Sequence, residues 1–112
     1  MSSTERESSR LAAIEAATAV LEGRLDIIEG CRRLSSFAHD FLSGHGLDED
    51  FVVFEAVASE SDELPVGAER AYWDPAALHR EDEEVKRAEA MYRDEVMSAC
   101  RKVVSRLKAA QF

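Results

Sequence analysis

The last third of the chain constrains the fold most, because it carries one long apolar repeat with helical spacing. Its apolar residues recur three or four positions apart, which is the period of a single helix face. They are Val85, Ala88, Tyr92, Val96, Ala99, Val103 and Leu107. Asp74 and Pro75 are suited to the N-cap and the first helical position. Bases gather near the far end, where the helix dipole favours them. The pattern predicts one long helix from about Pro75 to Leu107.

Two shorter helices are predicted at the start of the chain, over residues 4–22 and 26–42. The apolar stripe of the first helix is Leu11, Ile14, Thr18 and Leu21, with Ala12, Ala13, Ala16 and Ala17 filling in. The apolar positions of the second are Ile27, Ile28, Cys31, Leu34, Phe37, Ala38, Phe41 and Leu42. Both starts have capping-box spacing, Thr4 with Glu7 and Asp26 with Glu29. A single rod through Gly23 is the alternative. We prefer a break, because a rod of that length could not fold back on itself.

The stretch from Phe51 to Ala58 fits either a strand or a helix. Phe51, Phe54 and Val57 share one helical face, acidic residues precede them, and a lone strand would have no partner. We therefore expect a helix, followed by a polar loop over residues 59–67. The predicted class is all-α: a compact bundle of about four helices with a long C-terminal helix. One domain covers residues 1–112, with residues 1–3 disordered.

The composition fits a globular domain that needs no disulfide or bound metal to be stable. The chain has 112 residues, of which 46% are hydrophobic and only two are proline. No apolar leader and no membrane-length apolar run is present. We therefore expect a soluble protein of a bacterial-type cytoplasm, in which Cys31 and Cys100 stay free thiols of the core. A disulfide between them is the less favoured alternative.

Charge is concentrated in the middle of the sequence. The net charge is −9, which argues against binding nucleic acid or an anionic membrane. Residues 45–84 hold 13 acids and 2 bases, a net charge of −11, whereas residues 85–112 carry a net charge of +4. A basic protein partner would suit the central segment, although solubility alone also explains such acidity.

The sequence contains no recognisable catalytic, metal or nucleotide motif. The histidines and cysteines (His39, His45, His79, Cys31 and Cys100) lack zinc-site spacing. Neither a G-x-S-x-G elbow nor a glycine-rich phosphate loop is present. We therefore assign no enzymatic activity, no metal and no cofactor from the sequence.

Residues 59–73 are the most distinctive segment, because acids, hydroxyls, a Pro65-Val66-Gly67 turn, an arginine and the only tryptophan occur together. One interpretation is a recognition loop, or a polar pocket in which Arg70 meets Glu60 or Asp62. The other is structural: a helix end, a turn and Trp73 packed over the end of the bundle. Both interpretations remain open from the sequence.

The chain resembles a family of short bacterial proteins, domain of unknown function 2489, over roughly residues 20–105. The shared pattern is Glu29-Gly30-Cys31-Arg32, Phe51-x-x-Phe54, Ser59-Glu60-x-Asp62-x-Leu64-Pro65-x-Gly67, Arg70-x-x-Trp73, Leu78, Tyr92-Arg93 and Ala99-Cys100. The resemblance implies a bacterial cytosolic protein and no particular reaction. It singles out Arg32, Glu60, Asp62, Arg70 and Trp73 as candidate binding residues.

Three functions are compatible with these observations. The first is an interaction module that binds a basic protein through the acidic central segment, as immunity proteins and antitoxins do; this is an analogy of charge and size. The second is a small-ligand or metal-binding domain that uses Glu60, Asp62 and Arg70. The third is a structural homodimer formed through the long helix, with no ligand.

Overall fold

A computed structural model describes residues 3–37, 47–64 and 67–109 of the chain. These residues form helices and turns only, so the predicted all-α class is confirmed. The elements are α1 (Ser3–Leu21), α2 (Ile27–Ser35), α3 (Asp48–Glu60), a 3₁₀ helix (Gly67–Tyr72) and α4 (Pro75–Ala109). At 35 residues, α4 accounts for the 48 Å long axis of the molecule.

The structure confirms two predictions for which the sequence offered an alternative: a break between α1 and α2, and a helix rather than a strand over residues 51–58. α1 ends at Leu21, and Gly23 has a φ of 76°, a left-handed conformation that glycine adopts without strain. The chain then turns into α2. Residues 51–58 lie inside α3, so the prediction of a helix there is confirmed.

The core lies around the C-terminal half of α4. Val96, Ala99, Cys100, Val103 and Leu107 are buried on that half, as the apolar repeat predicts. α1 packs along α4, α2 packs on α3, and both α2 and α3 also contact α4. Residues 75–95 contain no buried side chain, so the first half of α4 extends beyond this core.

The predicted apolar stripe of α1 lies beside the centre of the buried face. Leu11 is 54% exposed, and the other members of that stripe are only half-buried, although Ile14 and Leu21 pack against the core. The buried residues include Val20 and three of the alanines predicted to fill in, Ala13, Ala16 and Ala17. Small side chains let two helices approach closely. Gly30 of α2 extends this close contact, because a Cβ added there would lie 2.3 Å from Cγ2 of Val20.

The predicted capping boxes are also wrong. Thr4 already lies inside α1, and Glu7 pairs with Arg10 rather than with the helix start. Asp26 does occupy the N-cap of α2, yet its side chain makes no capping hydrogen bond. Glu29 pairs with Arg33 at 3.3 Å instead of reaching back to Asp26.

The second helix ends earlier than predicted. α2 stops at Ser35, because the hydroxyls of Ser35 and Ser36 donate to the carbonyls of Arg32 and Arg33 at 3.0 and 2.6 Å. Such bonds compete with continuation of the helix. The predictions for residues 1–2, for residues 38–46 (including His39 and His45) and for the Pro65-Val66 turn lie outside the described residues.

Candidate functional site

Arg32 joins α2 to the segment that follows α3. Its side chain is only 23% exposed. Nη2 donates to the backbone carbonyls of Ser61 and Leu64 at 2.6 and 3.1 Å, and Nη1 donates to Oε1 of Glu69 at 2.8 Å. These bonds close the turn after α3 and anchor the 3₁₀ helix. Arg32 is therefore a positioning residue for the segment 61–72.

Arg70 connects the 3₁₀ helix to α4. Its Nη1 donates to Oδ1 of Asp82 at 2.9 Å, whereas the sequence pointed to Glu60 or Asp62 as its acid. Trp73 is half-buried where the chain turns into α4. Asp74 caps α4, as predicted, because its Oδ2 accepts the backbone N–H of Ala77 at 3.3 Å.

Three exposed acids surround the C-terminal end of α3, and we call Glu60, Asp62 and Glu63 the acidic turn. The hydroxyl of Tyr92 on α4 donates to the carboxylate of Glu60, and this hydrogen bond raises the pKa of Tyr92. Among the ion pairs of residues 3–37, 47–64 and 67–109, none includes an acid of this turn. Within those residues, the acidic turn therefore presents carboxylates that no cation neutralises by direct contact.

The position of the acidic turn is electrostatically unfavourable. The C-terminal end of a helix carries a partial negative charge and prefers lysine or arginine. α3 has no base in its last turn. Arg32, which lies beneath the turn, offsets part of the repulsion by donating to the Ser61 and Leu64 carbonyls. The acids at this helix end therefore cost stability, and their presence calls for another explanation.

A cleft separates the acidic turn from the first half of α4. Its lining consists of Glu60, Glu63, Leu64, Glu84, Arg87, Ala88 and Met91, and its volume is about 530 Å³. Arg87 is paired with Glu84 at 3.2 Å. Met91 is 69% exposed. We call this the acidic cleft; its lining combines apolar side chains, carboxylates from the acidic turn and from α4, and one arginine that is already paired.

The five residues singled out in the sequence lie in one region but do not meet as a single pocket. Arg32 lies beneath the acidic turn, while Arg70 and Asp82 lie on the other side of the 3₁₀ helix. The sequence reasoning missed the partners Glu69, Asp82 and Tyr92, and it missed Met91. No local motif marks them, because their contacts join positions 12 to 37 residues apart. That the five bind a ligand stays a prediction.

The described residues contain no group of three or more histidine, cysteine or acidic side chains that could hold a metal ion. His79 is exposed on α4. Cys31 and Cys100 are buried free thiols, as predicted. Burial raises the pKa of each thiol to about 12, and Cys100 adds to the effect on Cys31. Thiols with so high a pKa are poor nucleophiles at neutral pH.

Glu89 of α4 contacts the N-terminal end of α2. The backbone N–H groups of Ile27 and Ile28 lie close enough to its carboxylate to lower the pKa of Glu89. Burial raises the pKa of Glu89, and the nearby Asp26 raises it further; the two backbone N–H groups and Arg93 oppose the rise without cancelling it. Glu89 thus places a carboxylate near the start of α2, whose N-cap residue Asp26 makes no capping hydrogen bond.

A family model matches residues 2–103 of the chain, nearly its whole length. Its description reads protein of unknown function, DUF2489. The chain belongs to the DUF2489 family. This confirms the resemblance drawn from the sequence patterns. No curated protein and no solved structure matches the chain. In the described part of this DUF2489 protein, no helix is both long and apolar enough to cross a bilayer.

Proposed function

We propose that this DUF2489 protein is a protein-binding module that holds a basic partner on the acidic turn and the surface around it. The observation that carries the proposal is the acidic turn itself. Glu60, Asp62 and Glu63 are exposed, form no ion pair with another described residue and lie at the negative end of α3. A bound cation would relieve the repulsion that the free protein bears.

The wider charge distribution supports the same partner. Residues 45–84 carry a net charge of −11, and they include the acidic turn and the start of α4. Several of the acids here are neutralised, because Glu69, Asp82, Glu83 and Glu84 form ion pairs. Glu49, Glu55, Asp74 and Glu81 also form no ion pair with another described residue, but Glu60, Asp62 and Glu63 are the ones grouped at the negative end of α3. A field of this sign speeds the capture of a cationic protein at low ionic strength.

The small-ligand alternative has less support. It needs Arg70 beside Glu60 or Asp62, and the Arg70 guanidinium lies on Asp82. The homodimer alternative rests on the exposed first half of α4 and predicts a dimer in light scattering. A strict monomer would remove it.

The experiment compares two neutralised variants that differ only in where the charge is lost. The test variant is Glu60→Gln, Asp62→Asn, Glu63→Gln. The control is Glu55→Gln, Asp94→Asn, Glu95→Gln, which removes the same number and type of exposed acids elsewhere. Proteins crosslinked to each variant in the native cell are identified, and the dissociation constant of the purified candidate is measured.

We expect one basic protein that binds the wild type and the control alike. The test variant should bind it at least about tenfold more weakly, and wild-type affinity should fall steeply between about 50 and 300 mM salt. Equal affinity for both variants, or affinity that salt does not change, would refute the proposal.

A further inference from the structure

Resting on the proposed function, we infer that the acidic cleft binds one face of a cationic amphipathic helix of the partner protein. An apolar side chain of that helix contacts Met91, Leu64 and Ala88, and its lysines or arginines meet Glu60 and Glu63, because Glu84 is already paired with Arg87. The partner is thereby assigned a binding position, a helical conformation and an apolar contact, in addition to its positive charge.

The apolar component comes from Met91. It is 69% exposed, and of the four strongly exposed large apolar side chains among the described residues it is the one that lines this cleft. Methionine is flexible and polarisable, so it adapts to varied apolar partners and is common on surfaces that bind helices. An exposed methionine between carboxylates offers an apolar anchor point with charge complementarity around it.

The first half of α4 leaves room for such an occupant. Val85, Ala88 and Tyr92 continue the buried stripe of α4 towards its N-terminus, yet they are only half-buried. The fully buried core residues of α4 begin at Val96, and Tyr92 packs against the edge of this core. Apolar surface at helical spacing therefore continues past the end of the core, beside the acidic cleft.

The shape of the cleft selects a helix over other peptide conformations. Addition of an extended strand needs an exposed sheet edge, and the described residues form none. Grooves that bind polyproline segments are lined by aromatic rings, and the lining of this cleft contains no aromatic residue. A volume of about 530 Å³ accommodates a few side chains from one face of a helix. Glu60 and Glu63, which form no ion pair with another described residue, then match bases that flank the apolar face.

The test uses two synthetic peptides of leucine and lysine with identical composition. In one, all leucines lie on a single helical face; in the other, the order is scrambled so that no apolar face forms. Binding to the full chain is measured by fluorescence anisotropy, with Met91→Asp and Val52→Asp as variants. Val52 is a matched control, because it is an exposed apolar residue of α3 outside the cleft.

Met91→Asp separates the apolar contact from charge, since it removes the first and adds to the second. We expect the amphipathic peptide to bind the wild type and Val52→Asp alike, and Met91→Asp at least about tenfold more weakly. The scrambled peptide should bind all three weakly. Thermal melts of the variants check that the fold is kept.

Two results would overturn the inference in different ways. If both peptides bind equally, Met91→Asp has no effect and neutralising the acidic turn abolishes binding, the cleft assignment is wrong and the proposed function stands. If neither peptide binds more tightly to the wild type than to the variant with a neutralised acidic turn, the proposed function fails with it.

Discussion

At the scale of single residues, Gly30 is the position where a small change should cost most. A Cβ at this position would lie 2.3 Å from Cγ2 of Val20, a buried and stiff side chain. Gly30→Ala should therefore destabilise the protein by about 1–3 kcal/mol, although alanine favours helix more than glycine does. Urea unfolding measures the change.

The double variant Val20→Ala, Gly30→Ala is the control for this clash. Val20→Ala alone opens a cavity, which the methyl group added at position 30 would partly fill. We expect the double variant to be more stable than the sum of the two single changes allows. Strict additivity would show that α1 and α2 do not meet at these residues.

Glu89 should make stability depend on pH above the acidic range. Its pKa is raised in the folded protein from an ordinary value of 4.5, chiefly by burial. The folded state therefore holds the proton more tightly than the unfolded state does. This contribution to stability is present below 4.5 and is lost as pH rises through the folded pKa.

Glu89→Gln should remove that loss, because the neutral amide carries no charge to be buried beside Asp26. The free energy of unfolding of the variant should gain on the wild type as pH rises above 4.5. Glu95→Gln, at an exposed position of the same helix, should show no such gain. Parallel pH profiles for wild type and Glu89→Gln would contradict the assignment.

At the scale of the elements, charged side chains of one helix contact the backbone at the end of another helix. Arg10 of α1 donates to the Leu107 carbonyl near the end of α4 at 2.9 Å. The carboxylate of Glu89 on α4 lies near the start of α2, and Arg32 of α2 donates to the Ser61 and Leu64 carbonyls after α3. Each of these helix ends depends on a neighbour, so local sequence cannot place the ends alone.

Arg32→Met tests this dependence while keeping the apolar stem of the side chain. It leaves the Ser61 and Leu64 carbonyls without their cationic donor, and we expect a loss of about 1–3 kcal/mol. Hydrogen exchange should become faster in residues 61–72. Arg33→Met is the neighbouring control, since Arg33 makes one exposed ion pair, and it should cost less than about 0.5 kcal/mol. Equal effects of the two changes would argue against the positioning role of Arg32.

Much of the secondary structure is predictable from the sequence, because local signals mark it. The spacing of the apolar residues indicates helices, Gly23 marks the end of α1, and Asp74-Pro75 marks the start of α4. The centre of the buried face of α1 is not predictable from the sequence in the same way. Leu11 and Ile14 look like the better core residues, but close packing selects the alanines and Val20. The end of α2 is missed because two serine hydroxyls, rather than a glycine or proline, terminate it.

At the scale of the whole molecule, the acidic turn should lower the stability of the fold while it strengthens binding of the basic partner. Glu63→Lys places a cation near the negative end of α3 and should stabilise the fold by about 0.3–1 kcal/mol. The same change should weaken binding of the basic partner. Glu55→Lys, an exposed change inside α3 away from its end, should stabilise less. A less stable Glu63→Lys variant would count against the electrostatic account of this turn.

The candidate site is only partly predictable at this scale. The charge count and the residues Glu60 and Asp62 are visible in the sequence. The acidic cleft is not, because Leu64 and Met91 come from elements 27 positions apart, and their proximity depends on how α3 packs on α4. Arg70 illustrates the same point, since its acid, Asp82, lies one element further along the chain.

The long helix α4 also determines the order in which contacts can form while the chain is being synthesised. A ribosome makes α1 before α4, although the two helices pack along each other and Arg10 of α1 donates to the Leu107 carbonyl. At about 5–20 residues per second, α1 exists for several seconds before that part of α4 is made. During this interval α1 can pack on α2 but not on α4, so the bundle closes only once the long helix has been synthesised.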